Sequence, residues 1–134
     1  MLFVVDSGLC TVDSTGTCFR SPNYPSNYGD NQQCTITAHE AVTLSVTAFN
    51  LENHYLCDFD ALTVNGVQYC GTTGPDGVQV VADSTIAFSS DSVGNRTGFE
   101  VCGASLFPTC FNLERSVAPV DDTELTPLDP ATRA

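Results

Sequence analysis

The chain has 134 residues, with sixteen acids, four arginines and no lysine, for a formal charge of −12. Such a field excludes nucleic acid and direct binding to anionic membranes, which need clustered Lys or Arg, and favours metal ions or the basic side chains of a partner. Seven cysteines in so short a chain point to disulfides and an oxidising compartment; zinc would want close pairs such as C-x-x-C, and the nearest pairs, Cys10/Cys18 and Cys102/Cys110, stand eight apart.

The opening Met-Leu-Phe-Val-Val run is too short for a signal peptide and is interrupted by Asp6. No apolar run reaches the length that spans a bilayer. We therefore expect Met1 to stand at the edge of a larger processed protein, delivered by a signal upstream.

Three tracts follow one another. Residues 1–17 form a Ser/Thr/Gly-rich strand-and-loop segment, with a strand expected at Leu2–Val5. From Cys18 to Cys102 short β-like runs alternate with turn signals, the pattern of a two-sheet antiparallel β-sandwich. Ala41–Phe49 sets Val42, Leu44 and Val46 against Thr43, Ser45 and Thr47, which predicts a half-buried strand. Ala61–Val64 and Val67–Tyr69 flank Asn65-Gly66, the strongest short hairpin signal. Val78–Val81, Thr85–Ser90 (with Ile86 and Phe88 on one face) and Phe99–Cys102 complete the series. No stretch sustains a helical period, so the fold class is all-β. Residues 104–134 combine an apolar piece, holding Leu106, Phe107, Phe111 and Leu113, with an acidic, Pro-rich tail expected to be extended.

Charge is spread along the chain. Eleven acids face Arg20 and Arg96 up to Cys102, and five face Arg115 and Arg133 beyond it.

Ser21-Pro22-Asn23-Tyr24-Pro25-Ser26-Asn27-Tyr28 resembles the S-P-N-Y-P-x-x-Y signature near the start of CUB domains, jelly-roll-like β-sandwiches of extracellular proteins. Further matches fall in order. Cys34-Thr35-Ile36 resembles the second-cysteine strand, and Phe49-Asn50-Leu51-Glu52 resembles F-x-L-E. Cys57-Asp58-Phe59-Asp60-Ala61-Leu62-Thr63-Val64 resembles C-x-Y-D-x-L-x-V, and Cys70-Gly71 the family's C-G. Phe88-Ser89-Ser90-Asp91 and Gly98-Phe99 resemble F-x-S-D and the closing G-F. Any one motif is weak; six in register are strong. They place the CUB domain at residues 10–103. The sequence departs from the pattern in Phe59 for tyrosine, in Thr35 where a tryptophan follows the cysteine, and in the additional Cys18 and Cys102.

The resemblance implies disulfides Cys57–Cys70 and Cys10–Cys34. Parity suggests Cys18–Cys102, because Phe19 and Val101 are the expected inward neighbours and leave both cysteines facing off the core. Cys110 is left over as a free thiol, an intermolecular partner or a competitor for Cys102.

Glu52, Asp60 and Asp91 match the three acidic positions of calcium-binding CUB domains. One such acid would read as a solvated loop residue. Three brought together repel unless protonated or bound to a cation, and Ca²⁺ wants about six to eight hard oxygen ligands. Family analogy adds the Val93 and Gly94 carbonyls as ligands and Tyr28 as a hydrogen-bond partner of the site glutamate; Asp58 is a fallback ligand. Three carboxylates around Ca²⁺ keep a formal −1, and the resemblance implies that a partner's Lys or Arg contacts the carboxylates of Glu52, Asp60 and Asp91, with His54 as a further contact.

Other readings are weaker. His39 lies just before the strand at Ala41, and a lone loop histidine is usually solvated. Ser89, Ser90 and Ser92 lack both a G-x-S-x-G context and a histidine partner. Glu52 and Asp60 lack the aromatic cleft of a glycosidase pair. Asn95-Arg96-Thr97 is the one glycosylation sequon. The resulting expectation is a non-enzymatic, calcium-dependent recognition module of a secreted or lumenal protein. The alternative is a structural domain, stiffened by disulfides and calcium and docked in an assembly through residues 104–134. An accessory role in a secreted protease, or glycan binding, ranks below both.

Overall fold

Strand β5 (Val42–Asn50) begins as its sequence alternation requires, with Val42 and Leu44 buried and Ser45 exposed. Strict alternation would then send Phe49 to solvent, yet Phe49 is buried. A bulge supplies the reason. Along the partner strand, Glu100 faces Ala48 and Val101 faces Val46, so Thr47 is the extra residue. One inserted residue re-phases the side chains, and Phe49 returns to the core face opposite Phe99. The Thr47 hydroxyl closes the bulge on the main-chain and side-chain oxygens of Glu100, at 2.9 and 2.8 Å.

In the computed structural model, which describes residues 1–106, ten strands form two five-stranded antiparallel sheets. The remaining strands are β1 (Phe3–Ser7), β2 (Thr11–Val12), β3 (Cys18–Arg20), β4 (Gln33–Ala38), β6 (Ala61–Val64), β7 (Val67–Tyr69), β8 (Gln79–Val80), β9 (Thr85–Ser89) and β10 (Gly98–Ser105). One sheet runs β1-β4-β9-β6-β7 and the other β2-β3-β10-β5-β8. Among the described residues there is no helix, and the architecture is the expected sandwich.

Aromatic rings join the sheets. Phe3 of β1 meets Phe19 of β3 edge-on at 4.9 Å, and Phe88 of β9 meets Phe99 of β10 edge-on at 5.3 Å. Such pairs add to the burial free energy of large apolar side chains. Around them pack Ile36, Leu44, Leu62, Val64 and Ile86, all buried.

The β6–β7 hairpin turns on Asn65 and Gly66 at φ 53° and 79°, the left-handed pair that an Asn-Gly turn supplies. The N-terminal segment 1–17 is built into the sandwich: β1 pairs along β4, and Phe3 is fully buried. β10 continues past Cys102 to Ser105, paired with Val42, so the first two residues of the tract read as 104–134 belong to this strand. Residues 107–134, Cys110 among them, lie outside the described residues.

Three disulfides link Cys10 to Cys34, Cys18 to Cys102 and Cys57 to Cys70. Cys18 and Cys102 face each other across β3 and β10, while their neighbours Phe19 and Val101 are fully buried. The β5–β6 and β9–β10 loops open at one end of the sandwich, where Asn50 pairs with Gly98 and Ala61 with Ser89.

Candidate metal centre

Asp60 immediately precedes β6 and is fully buried. An ionised carboxylate in that position needs donors, and two are present. The Tyr28 hydroxyl donates to Oδ2 at 2.5 Å, and the main-chain N–H of Asp91 donates to Oδ1 at 2.8 Å. Glu52 follows β5 by two residues and Asp91 follows β9 by two. Each of Glu52, Asp60 and Asp91 offers an oxygen, and these oxygens lie within 4.8 Å of one another.

The electrostatics follow from that crowding. Burial raises the Glu52 carboxyl above its ordinary value, and the Asp91 and Asp60 carboxylates push it further. Burial likewise raises Asp60, opposed by the Tyr28 and Asp91 donors. Burial and the adjoining Asp60 push the Tyr28 phenol up, so it stays protonated and donates.

Tyr28 meets the site glutamate at its main chain, and the fold adds Asp60 as a second partner. Its proton goes to Asp60, and its oxygen accepts the main-chain N–H of Glu52 at 3.2 Å. A phenol has one proton to give, and the buried Asp60 takes it. Glu52 Oε1 is left buried without a hydrogen-bond partner among the described residues.

The β9–β10 loop wraps the cluster. The Val93 N–H donates to Asp91 Oδ1 at 3.2 Å. Gly94 has φ +81°, and a Cβ there would stand 2.2 Å from Glu52 Oε2; only glycine meets both conditions. Its carbonyl already accepts Nη1 of Arg96 at 2.7 Å. No spacing signal in the sequence marks a side chain that folds back onto its own loop in this way.

The remaining candidates sit as follows. His54 Nδ1 accepts the N–H of Leu56 at 3.2 Å, and its ring packs on Tyr55 and Phe59 at 4.8 and 4.3 Å. It therefore organises the loop between Glu52 and Asp60. Asp58 is exposed and lies outside the acidic group. The Ser90 hydroxyl donates to the Gly29 carbonyl and accepts the Gln32 N–H, at 2.8 and 2.9 Å, latching two loops together. Asn95 is half-buried, with Oδ1 buried and unpartnered among the described residues.

Comparison with known proteins gives these features a family. Residues 9–102 match the CUB domain. The chain is 32% identical over 120 residues to the cubilin homolog of Drosophila melanogaster, covering 75% of this chain and 3% of that protein. It is 34% identical over 92 residues to blastula protease 10 of Paracentrotus lividus, covering 59% of this chain and 15% of that protein. The chain therefore spans a small part of these relatives. Among solved structures, the MASP-1 CUB2 domain bound to Ca²⁺ shares the fold with a TM-score of 0.57 at 24% identity, covering 66% of this chain and 91% of that one. CUB domains are interaction modules rather than catalytic units. By its match over residues 9–102 and its two five-stranded sheets, the chain belongs to the CUB domain family.

Proposed function

We propose that this domain is a calcium-dependent recognition module of an extracellular or lumenal protein, which binds basic side chains of a protein partner at Glu52, Asp60 and Asp91. The observation that carries the reading is the convergence of three carboxylates within 4.8 Å, with Glu52 Oε1 buried and without a partner among the described residues. A buried acceptor without a donor is costly, and a cation removes that cost. The donor set is all oxygen, which suits Ca²⁺ rather than a soft metal.

Glu52, Asp60 and Asp91 would hold the ion, with the Val93 and Gly94 carbonyls as further oxygen donors. Arg96 takes one lone pair of the Gly94 carbonyl and leaves the other for the ion. When bound, Ca²⁺ neutralises the mutual repulsion of the acids and fixes their orientation. Tyr28 holds Asp60 and the Glu52 main chain in place, so the cluster is organised by protein groups before a partner arrives, which limits the entropy lost on binding. A Lys ammonium or Arg guanidinium then meets a site with residual negative charge. The three disulfides suit delivery to an oxidising compartment, and the sequon at Asn95 makes a glycan beside this loop part of the proposal.

The test is calorimetry with Ca²⁺ on the wild type and on Asp91→Ala, with thermal unfolding in calcium and in chelator. Calcium at a hundredfold its dissociation constant should stabilise the wild type by about 2.7 kcal/mol, and Asp91→Ala should lose most of the heat. No calcium heat and no chelator effect would rule the site out.

A further inference from the structure

Beside the acidic centre lies a cavity of about 310 Å³, whose lining includes Asn50, Leu51, Asn53, Thr72, Thr73 and Arg96. Among the described residues no acid lines it, although eleven acids precede Cys102. Arg96 is one of two arginines in that same stretch. We propose that this cavity is a carboxylate subsite, so that the partner presents an acid next to the basic residue taken by Glu52, Asp60 and Asp91; the inference rests on the function proposed above.

The guanidinium is already positioned. Its Nη1 donates to the carbonyls of Gly94 and Asn95 at 2.7 and 3.1 Å. Among the described residues, Nε and Nη2 make no hydrogen bond. Those two donors form an edge whose spacing matches the two oxygens of a carboxylate. The asparagine amides and threonine hydroxyls of the lining add neutral donors and bring no competing negative charge.

The cavity and the acidic centre share a wall. Glu52 lies between Leu51 and Asn53, both of which line the cavity. Gly94, whose carbonyl Arg96 holds, lies against the Glu52 carboxylate. Positive and negative recognition groups thus stand on two sides of one short segment. A free anion gains little from one exposed guanidinium in an acidic field. A ligand carrying both charges satisfies both sides at once, and a partner with unpaired basic residues alone does not.

Three peptides, the first two blocked at both ends and the third at its N-terminus alone, test this by titration calorimetry on the full chain, fully loaded with Ca²⁺. One contains Lys-Glu, one Lys-Gln, and the third ends in a free carboxylate directly after its lysine. Lys-Glu is expected to bind the wild type about tenfold more tightly than Lys-Gln. Arg96→Gln should abolish that preference, and Arg96→Lys, which keeps the charge but not the fork, should retain only part of it. A gain confined to the free-carboxylate peptide also supports the subsite and identifies a chain terminus as its source. Equal binding of all three peptides to the wild type overturns the inference while leaving the metal centre intact, as does a preference undiminished in both variants. If no lysine peptide binds the calcium-loaded protein, the function proposed above fails, and the subsite falls with it.

Discussion

The Tyr28 hydroxyl donates to Asp60 Oδ2 at 2.5 Å and, in the same buried position, accepts the main-chain N–H of Glu52 at 3.2 Å. One phenol therefore ties two of the three acids together. In Tyr28→Phe the ring still packs against Phe88, at 5.2 Å in the wild type, but a buried carboxylate loses a donor and an N–H loses an acceptor. The cost should be about 1–3 kcal/mol, read from urea unfolding in chelator. Calcium calorimetry on the same variant should show weaker binding.

Gly94→Ala tests the close approach of the β9–β10 loop to Glu52. The new methyl would stand 2.2 Å from Glu52 Oε2, on a backbone at φ +81°. The loop and the glutamate must move apart, so calcium affinity should fall about tenfold, the equivalent of about 1.4 kcal/mol. The left-handed backbone adds a stability cost of about 1–2 kcal/mol, which the urea midpoint in chelator should show separately.

Removing the β3–β10 crosslink is a test of stability alone. With Cys18 and Cys102 both replaced by alanine, no new free thiol is created, and the loss of a bridge spanning 84 residues should cost about 2–5 kcal/mol. The fold should persist in the far-ultraviolet circular dichroism spectrum, because Phe19 and Val101 still bury the inner face of both strands.

Glu100 sets part of the acid limb. Its carboxyl is held below the ordinary 4.5 by the Thr47 hydroxyl first and by Arg20 second. A lowered folded value means that the contribution is complete above the unfolded value and is lost as pH falls through the folded one. Thermal unfolding of the wild type should therefore weaken below pH 4.5 more steeply than that of Glu100→Gln. The Arg20 and Glu100 side chains are 33% and 21% exposed, so at neutral pH the ion pair is worth less than about 1 kcal/mol.

Patterns of side-chain alternation and turn chemistry were legible in the sequence. Asn65-Gly66 specified its hairpin because both residues accept positive φ, and Val42 to Val46 announced a buried face. The register of the sheets was not legible. The bulge at Thr47 is specified by its partner strand, since Glu100 and Phe99 lie some fifty residues away and only the fold brings them opposite. For the centre, the motifs picked out Glu52, Asp60 and Asp91, which the fold brings together. Side-chain hydrogen bonds were harder to foresee. The resemblance implies Tyr28 at the site glutamate, but its bond to Asp60 depends on depth within the sandwich, which decides where its one proton goes. Arg96 reaches back to Gly94 through a loop conformation that no spacing encodes.

The segment from Asn53 to Phe59 leaves the cluster at Glu52 and re-enters it at Asp60. Its root is clamped twice, by the Leu51 N–H on the Gly71 carbonyl at 2.8 Å and by the bridge from Cys57 to Cys70. Tyr55, Leu56 and Phe59 point outward, with Tyr55 88% exposed. The two acids are thus anchored independently of what the excursion between them displays. A change at the exposed Leu56 should therefore disturb the carboxylates at either end less than loss of the Cys57–Cys70 bridge.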